Sequence, residues 1–263
     1  MNLISLPRRI LNRLQPFTKR HPDSNPISDL FPWIVTPDLD THFQTHDINS
    51  LFNPSSQNIS SSALIVVFNS SGIEIIRKSI AVQSLIKNPI SLSNLLRSSS
   101  FQFGTFSIFH HYNPASFCNT SMVLTERGYS YFSNYKNPFR HYVHGNSDAI
   151  TLNNLGDTTC LGGISFLPRI FYCQHLFLPS FTYELFFVNS SSSFQSISIF
   201  ESSDDSFSDS SCLTTIFLPS RGSSIFKYQP SDRPSFLFFR SKLVLCRPIC
   251  FKQTDNFFDV FHC

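Results

Sequence analysis

Glutamate and alanine are nearly missing from this chain, with four of each in 263 residues. Paired-carboxylate chemistry would therefore rest on aspartates, and most of these cluster at 23–47 and 204–209 in loop-like sequence. There is no Gly-x-Gly-x-x-Gly, no phosphate-loop lysine, no His-Glu-x-x-His and no Gly-x-Ser-x-Gly. The expectation is a protein that is not an enzyme and carries no cofactor. No apolar run approaches the ~18 residues of a membrane-crossing helix. Ala, Val, Gly, Asp and Glu together number only 38. All of their codons begin with G, so the coding strand reads as poor in G. That bias suits an RNA virus, an organellar or AT-rich genome, or an overlapping frame.

Serine and phenylalanine are in excess instead, at 44 and 30 residues. Apolar residues make up 41%, enough for a packed core. Short apolar runs recur about every ten residues between turn-forming clusters. The fold expected is mostly β, an antiparallel sandwich or jelly roll. Three regions are expected: a basic N-terminal arm (1–25), an extended loop (26–60) pinned by Trp33, and a single β domain (61–263). An acidic serine-rich loop at 201–211 interrupts the last.

Within the domain, Ala63–Phe68, the turn Asn69-Ser70-Ser71-Gly72 and Ile73–Ile76 predict a β-hairpin. Residues 80–97 predict two short helices broken at Pro89. Ser91 caps the second, where Leu92, Leu95 and Leu96 share a face. Phe101 and Phe103 alternate, Gly104 allows a bulge, and Phe106 and Ile108 continue the strand. Phe181, Tyr183, Leu185 and Phe187 alternate as a strand.

The seven cysteines are odd in number, and Pro7, Arg8 and Arg9 break the first apolar stretch. A secretory leader and a disulfide framework are not expected, and the compartment expected is intracellular, the cytoplasm of a host cell. Two loose ligand sets can be drawn, Cys246, Cys250, His262 and Cys263, and Cys160, Cys173 and His175. Neither matches a zinc spacing, and core packing is the better reading of these thiols, so no metal is expected. The histidine pairs His42/His46, His110/His111 and His141/His144 read as structural or surface residues.

Net charge is only +3, but its placement is uneven. Arg8, Arg9, Arg13, Lys19 and Arg20 fall in the first 22 residues without an acid, among Leu6, Ile10 and Leu14 spaced as on an amphipathic helix. That segment suits an RNA-binding arm, a membrane-surface helix or a mitochondrial targeting segment. Over 127–144, cations and rings interleave: Arg127, Tyr131, Lys136, Arg140 and Tyr142. Stacking rings beside cations hold single-stranded nucleic acid without reading its sequence. Homo-oligomers and host proteins are the other partners considered.

Ala63–Phe68, then Leu95-Leu96, then Phe101-Gln102-Phe103 resembles the element order of 30K-type plant-virus movement proteins. Cys160–Cys173 would be a later core strand. The resemblance implies a jelly-roll-like fold, binding of single-stranded RNA and support for genome movement between cells. The family has an aspartate after its first hydrophobic strand; here Asn69-Ser70-Ser71 stands instead, and no functional residue is carried over. A viral coat protein is the alternative within the same class. Leu6-Pro7-Arg8-Arg9-Ile10 resembles the F-box-like core of some RNA-silencing suppressors. That would make Leu6, Pro7 and Ile10 contacts for a ligase adaptor.

Overall fold

A computed structural model describes residues 26–45, 62–82, 88–97, 100–110, 128–153, 155–203, 210–245 and 247–263. The N-terminal segment expected to be helical, with Leu6, Pro7, Arg8, Arg9, Ile10, Arg13, Lys19 and Arg20, lies outside these residues, as does Arg127. What is described is mostly β, with every strand pairing antiparallel.

The strands form four sheets. Sheet A has six, in the order β10 (Thr158–Cys160), β9 (Asn146–Leu152), β1 (Ile27–Val35), β6 (Gln102–His110), β3 (Ser62–Asn69), β4 (Glu74–Ala81). Sheet B is β5 (Ile90–Ser91), β2 (Leu39–Gln44), β7 (Tyr129–Asn134), β8 (Asn137–His144). Sheet C is β11 (Ile164–Tyr172), β16 (Phe236–Leu243), β13 (Gln195–Ser202), β14 (Ser210–Leu218). Sheet D is β15 (Ser223–Tyr228), β12 (Thr182–Val188), β17 (Ile249–Thr254), β18 (Phe257–His262). Four blade-sized sheets give a propeller-like arrangement, where a jelly roll has two sheets. The chain threads back and forth between them, so no blade is a sequence repeat.

Sheet D is buried on both faces, and the alternation along β12 shows how. Phe186 and Val188 enter a core shared with sheets A and B, while Tyr183, Leu185 and Phe187 enter a second core against sheet C. A strand buried on both faces reads as a continuous apolar run, as Leu185–Val188 does. A third core covers the other face of sheet A with Phe43, Leu92 and Val82. Phenylalanine ties the layers together edge to face. Phe132–Phe251 joins B to D at 4.8 Å, Phe103–Phe186 joins A to D at 5.8 Å, and Phe187–Phe239 joins D to C at 5.0 Å. Each such pair adds roughly 0.5–1.5 kcal/mol beyond area burial.

Residues 26–45 are not the expected extended loop. They form β1 and β2, and all nine residues of β1 are buried. Pro32 is tolerated because the β9 ladder ends at Leu30, so the side of β1 facing away from β6 needs no N–H at residue 32. Two residues on, the Thr41 hydroxyl replaces the missing ladder partner. It accepts from Ile34 N and donates to Ile34 O, both at 2.8 Å. Trp33 does anchor this segment, with its Nε1 donating to the Phe68 and Thr105 carbonyls at 3.0 and 3.2 Å.

The hairpin of β3 and β4 forms as the turn residues predict. Asn69 Oδ1 accepts from Ser71 N and Ile73 N, both at 3.0 Å, and Gly72 takes φ 75°. Gly104 is not a bulge, because β6 keeps register with β1 and β3 through it. A Cβ there would stand 2.1 Å from the Phe68 carbonyl, so glycine allows close strand approach. The second expected helix is α1 (Leu92–Leu96), and Ser91 Oγ accepts from Asn94 N at its start. Of the first, residues 80–81 belong to β4 and 83–87 lie outside the described residues. The acidic loop is shorter than expected, since β13 runs to Ser202 and β14 begins at Ser210. Among the described residues, no helix is long and apolar enough to cross a membrane.

Candidate nucleic-acid interface

Sheet B turns one face to the shared core through Phe132 and Val143. The opposite face therefore carries the alternate residues of β2, β7 and β8. The register sets them in rows: Gln44–Tyr129–His144, His42–Tyr131–Tyr142 and Asp40–Ser133–Arg140. His42 stacks on Tyr131 at 4.7 Å and 6°. Tyr142 lies 5.1 Å from Tyr131, and the Arg140 guanidinium sits 5.1 Å over the same ring.

Three of the expected residues, Tyr131, Arg140 and Tyr142, thus converge. They do not play equal parts. Tyr131 is 4% exposed, roofed by its neighbours, and burial holds its phenol above the ordinary range. The open groups are Tyr142 and Tyr129, each 49% exposed, with Arg140. Lys136 sits in the β7–β8 turn, where its Nζ donates to Asp38 at 2.9 Å. His42 was missed because its segment reads as loop.

His42, Ser133 and Asp40 together invite comparison with a catalytic triad. His42 Nε2 meets Ser133 Oγ at 2.9 Å, but Asp40 Oδ2 approaches that same nitrogen at 3.5 Å. A triad needs the carboxylate on Nδ1, opposite the serine. Asp40 is otherwise engaged at the start of α1, accepting from Ser91 Oγ, Ser93 Oγ and Ser93 N at 2.7–3.0 Å. The cluster builds the sheet–helix junction. A separate open cleft of about 800 Å³ lies where sheets A, B and D meet. Its Lys136–Asp38 and Lys227–Glu184 ions pair with each other.

Three other histidines, His141, His144 and His262, hold the edge where β8 meets β18. His141 Nδ1 contacts Asp259 at 3.1 Å, and His144 stacks on His262 at 4.4 Å. Burial lowers the pKa of His42, His175 and His262 below 6.5; Arg140, Lys252 and His144 respectively push the same way, and Asp40 and Asp259 oppose it at the first two. A lowered folded pKa means the unfolded chain takes up protons first as pH falls. The stabilisation is complete above 6.5 and is lost below it, down to the folded values. The urea midpoint should therefore fall between pH 7.5 and 5.5, and His262→Gln should lessen that fall. Equal midpoints at the two pH values would exclude this account.

The thiols regroup. Cys173, Cys250 and Cys263 meet in the second core, whereas His262, adjacent to Cys263, points to the other face of β18. The bond with Cys263 and then burial hold the Cys173 thiol far above its ordinary range. Its bond to Cys173 lowers the Cys263 thiol, and the contact with Cys250 and burial outweigh this. Cys246 lies outside the described residues. Among the described residues no three His, Cys, Asp or Glu side chains are placed to hold a metal ion. Compared with protein-family models, curated proteins and solved structures, the chain matches none.

Proposed function

We propose that the chain binds single-stranded RNA across the outer face of sheet B, as a viral protein that supports genome movement between cells. The observation that supports this is one sheet face where exposed Tyr142 and Tyr129 lie in successive rows to one side of Arg140, itself held over Tyr131. Rings offer stacking to any base, and the guanidinium offers charge to phosphate. The basic residues of the first 22 positions would add phosphate contacts. Movement is preferred over encapsidation or silencing suppression on the element order that resembles movement proteins.

The test is fluorescence anisotropy of the full chain with oligouridine. Native affinity should fall steeply between about 50 and 200 mM salt, as counterion release requires. Arg140→Glu with Tyr142→Ala should weaken binding about tenfold or more, the scale of one lost stack and one lost contact. Removing residues 1–22 should weaken it several-fold. Affinity indifferent to salt, or to the double substitution, would exclude this face.

A further inference from the structure

The outer face of sheet C repeats the chemistry of sheet B. Leu237, Phe239, Ile197 and Ile199 point into the second core, so their neighbours point outward. Register sets Tyr172, Phe238 and Phe200 in one row across three strands. Phe238 stacks on Phe200 at 4.9 Å and 7°, and lies 6.1 Å from the Tyr172 ring. Tyr172 is 54% exposed. Arg240 follows Phe238 by two residues, on the same face and exposed, and Lys242 follows by two more. Beside Arg240, the Ser198 and Thr215 hydroxyls bond at 3.0 Å. On β8 the order is arginine, one residue, tyrosine; on β16 it is phenylalanine, one residue, arginine.

We infer that this face is a second platform for single-stranded RNA, with a base on Tyr172, which the part-buried Phe200 and the buried Phe238 (8% exposed) back from below, and phosphates on Arg240 and Lys242. The inference rests on the RNA-binding reading above. Charge selects the occupant. The outward positions of the described residues on these four strands carry two cations and no carboxylate. A second copy docked face to face about a two-fold axis would bring the same two cations from each side with no outward strand carboxylate to meet them. A polyanion meets no such repulsion, and the hydroxyl row suits ribose and base edges.

The experiment is photo-crosslinking of 4-thiouridine oligomers to the full chain, with the crosslinked peptides mapped, beside anisotropy of an Arg240→Glu, Lys242→Glu variant. Crosslinks at Tyr172 or Phe200 are expected. The variant should bind about tenfold more weakly, with a salt slope reduced by about two. Crosslinks confined to Tyr129 and Tyr142, with the variant binding like native, would overturn the second platform and leave the first standing. Crosslinks on sheet C alone would support it and overturn the first. An absence of binding would overturn both. Native-like RNA binding by the variant, with a dimer dissolved by Phe217→Ser (an outward position of β14, opposite Ser196 and 61% exposed), would assign the face to a second copy and overturn the proposal.

Discussion

Trp33→Ala should cost about 3–5 kcal/mol of folding stability, the range for emptying a large aromatic site. Trp33 is 1% exposed on the face of β1 that builds the third core. Its loss would leave a cavity beside Phe31, Phe43 and Phe106, whose rings lie 5.1–5.6 Å apart. It would also strip the indole donor from the Phe68 and Thr105 carbonyls. Trp33→Phe separates the two effects. It keeps most of the apolar volume and drops the donor, so about 1–3 kcal/mol should be lost. Equilibrium urea unfolding followed by circular dichroism measures both, since the native signal of the sole tryptophan is gone in each variant. A cost under about 1 kcal/mol for the alanine variant would show that β1 is not the spine of sheet A.

The contrast between Trp33 and its surroundings explains how far the sequence could be read. The single tryptophan was legible as an anchor because a ring that size in polar sequence has few other uses. The strand carrying it was not, since Asp29 and Pro32 argue against a central strand. Their acceptance depends on the ladder ending at Leu30 and on a hydroxyl from Thr41, both facts of tertiary structure. Local signals fared better. Asn69-Ser70-Ser71-Gly72 and Ser91 specify their turn and cap through bonds within five residues, and both formed. In the candidate interface, Tyr131, Arg140 and Tyr142 were legible because one hairpin carries all three. His42 was not, because it reaches them from a strand 89 positions before Tyr131. The cysteines show the same limit. Spacing grouped Cys250 with His262, but adjacent strand residues face opposite ways, and Cys173 arrives from a different sheet edge.

Gly72→Val should be the most disruptive single change at a turn, costing on the order of 3–5 kcal/mol from strain and collision together. Its φ of 75° is a left-handed conformation that a β-branched residue adopts at high cost. Its environment adds a second penalty, because a Cβ would stand 1.9 Å from the Ser220 carbonyl. That carbonyl belongs to the turn joining β14 of sheet C to β15 of sheet D. Sheet A is seated on this turn by several bonds. Ser223 N donates to Ser70 O at 3.0 Å, Thr105 Oγ1 donates to Arg221 O at 2.8 Å, and Arg221 Nη1 donates to Thr158 Oγ1 at 3.0 Å. The Arg221 guanidinium also lies 5.2 Å over Phe68. Gly156→Val is the control. Gly156 has φ 87°, but a Cβ there meets nothing within 4 Å. It should show the backbone penalty alone, roughly 1–2 kcal/mol. The gap between the two urea-unfolding free energies then measures the docking of sheet A onto the turn between C and D. If the two valine variants lose equal stability, that turn is a passive contact and the sheets are held together by their cores alone.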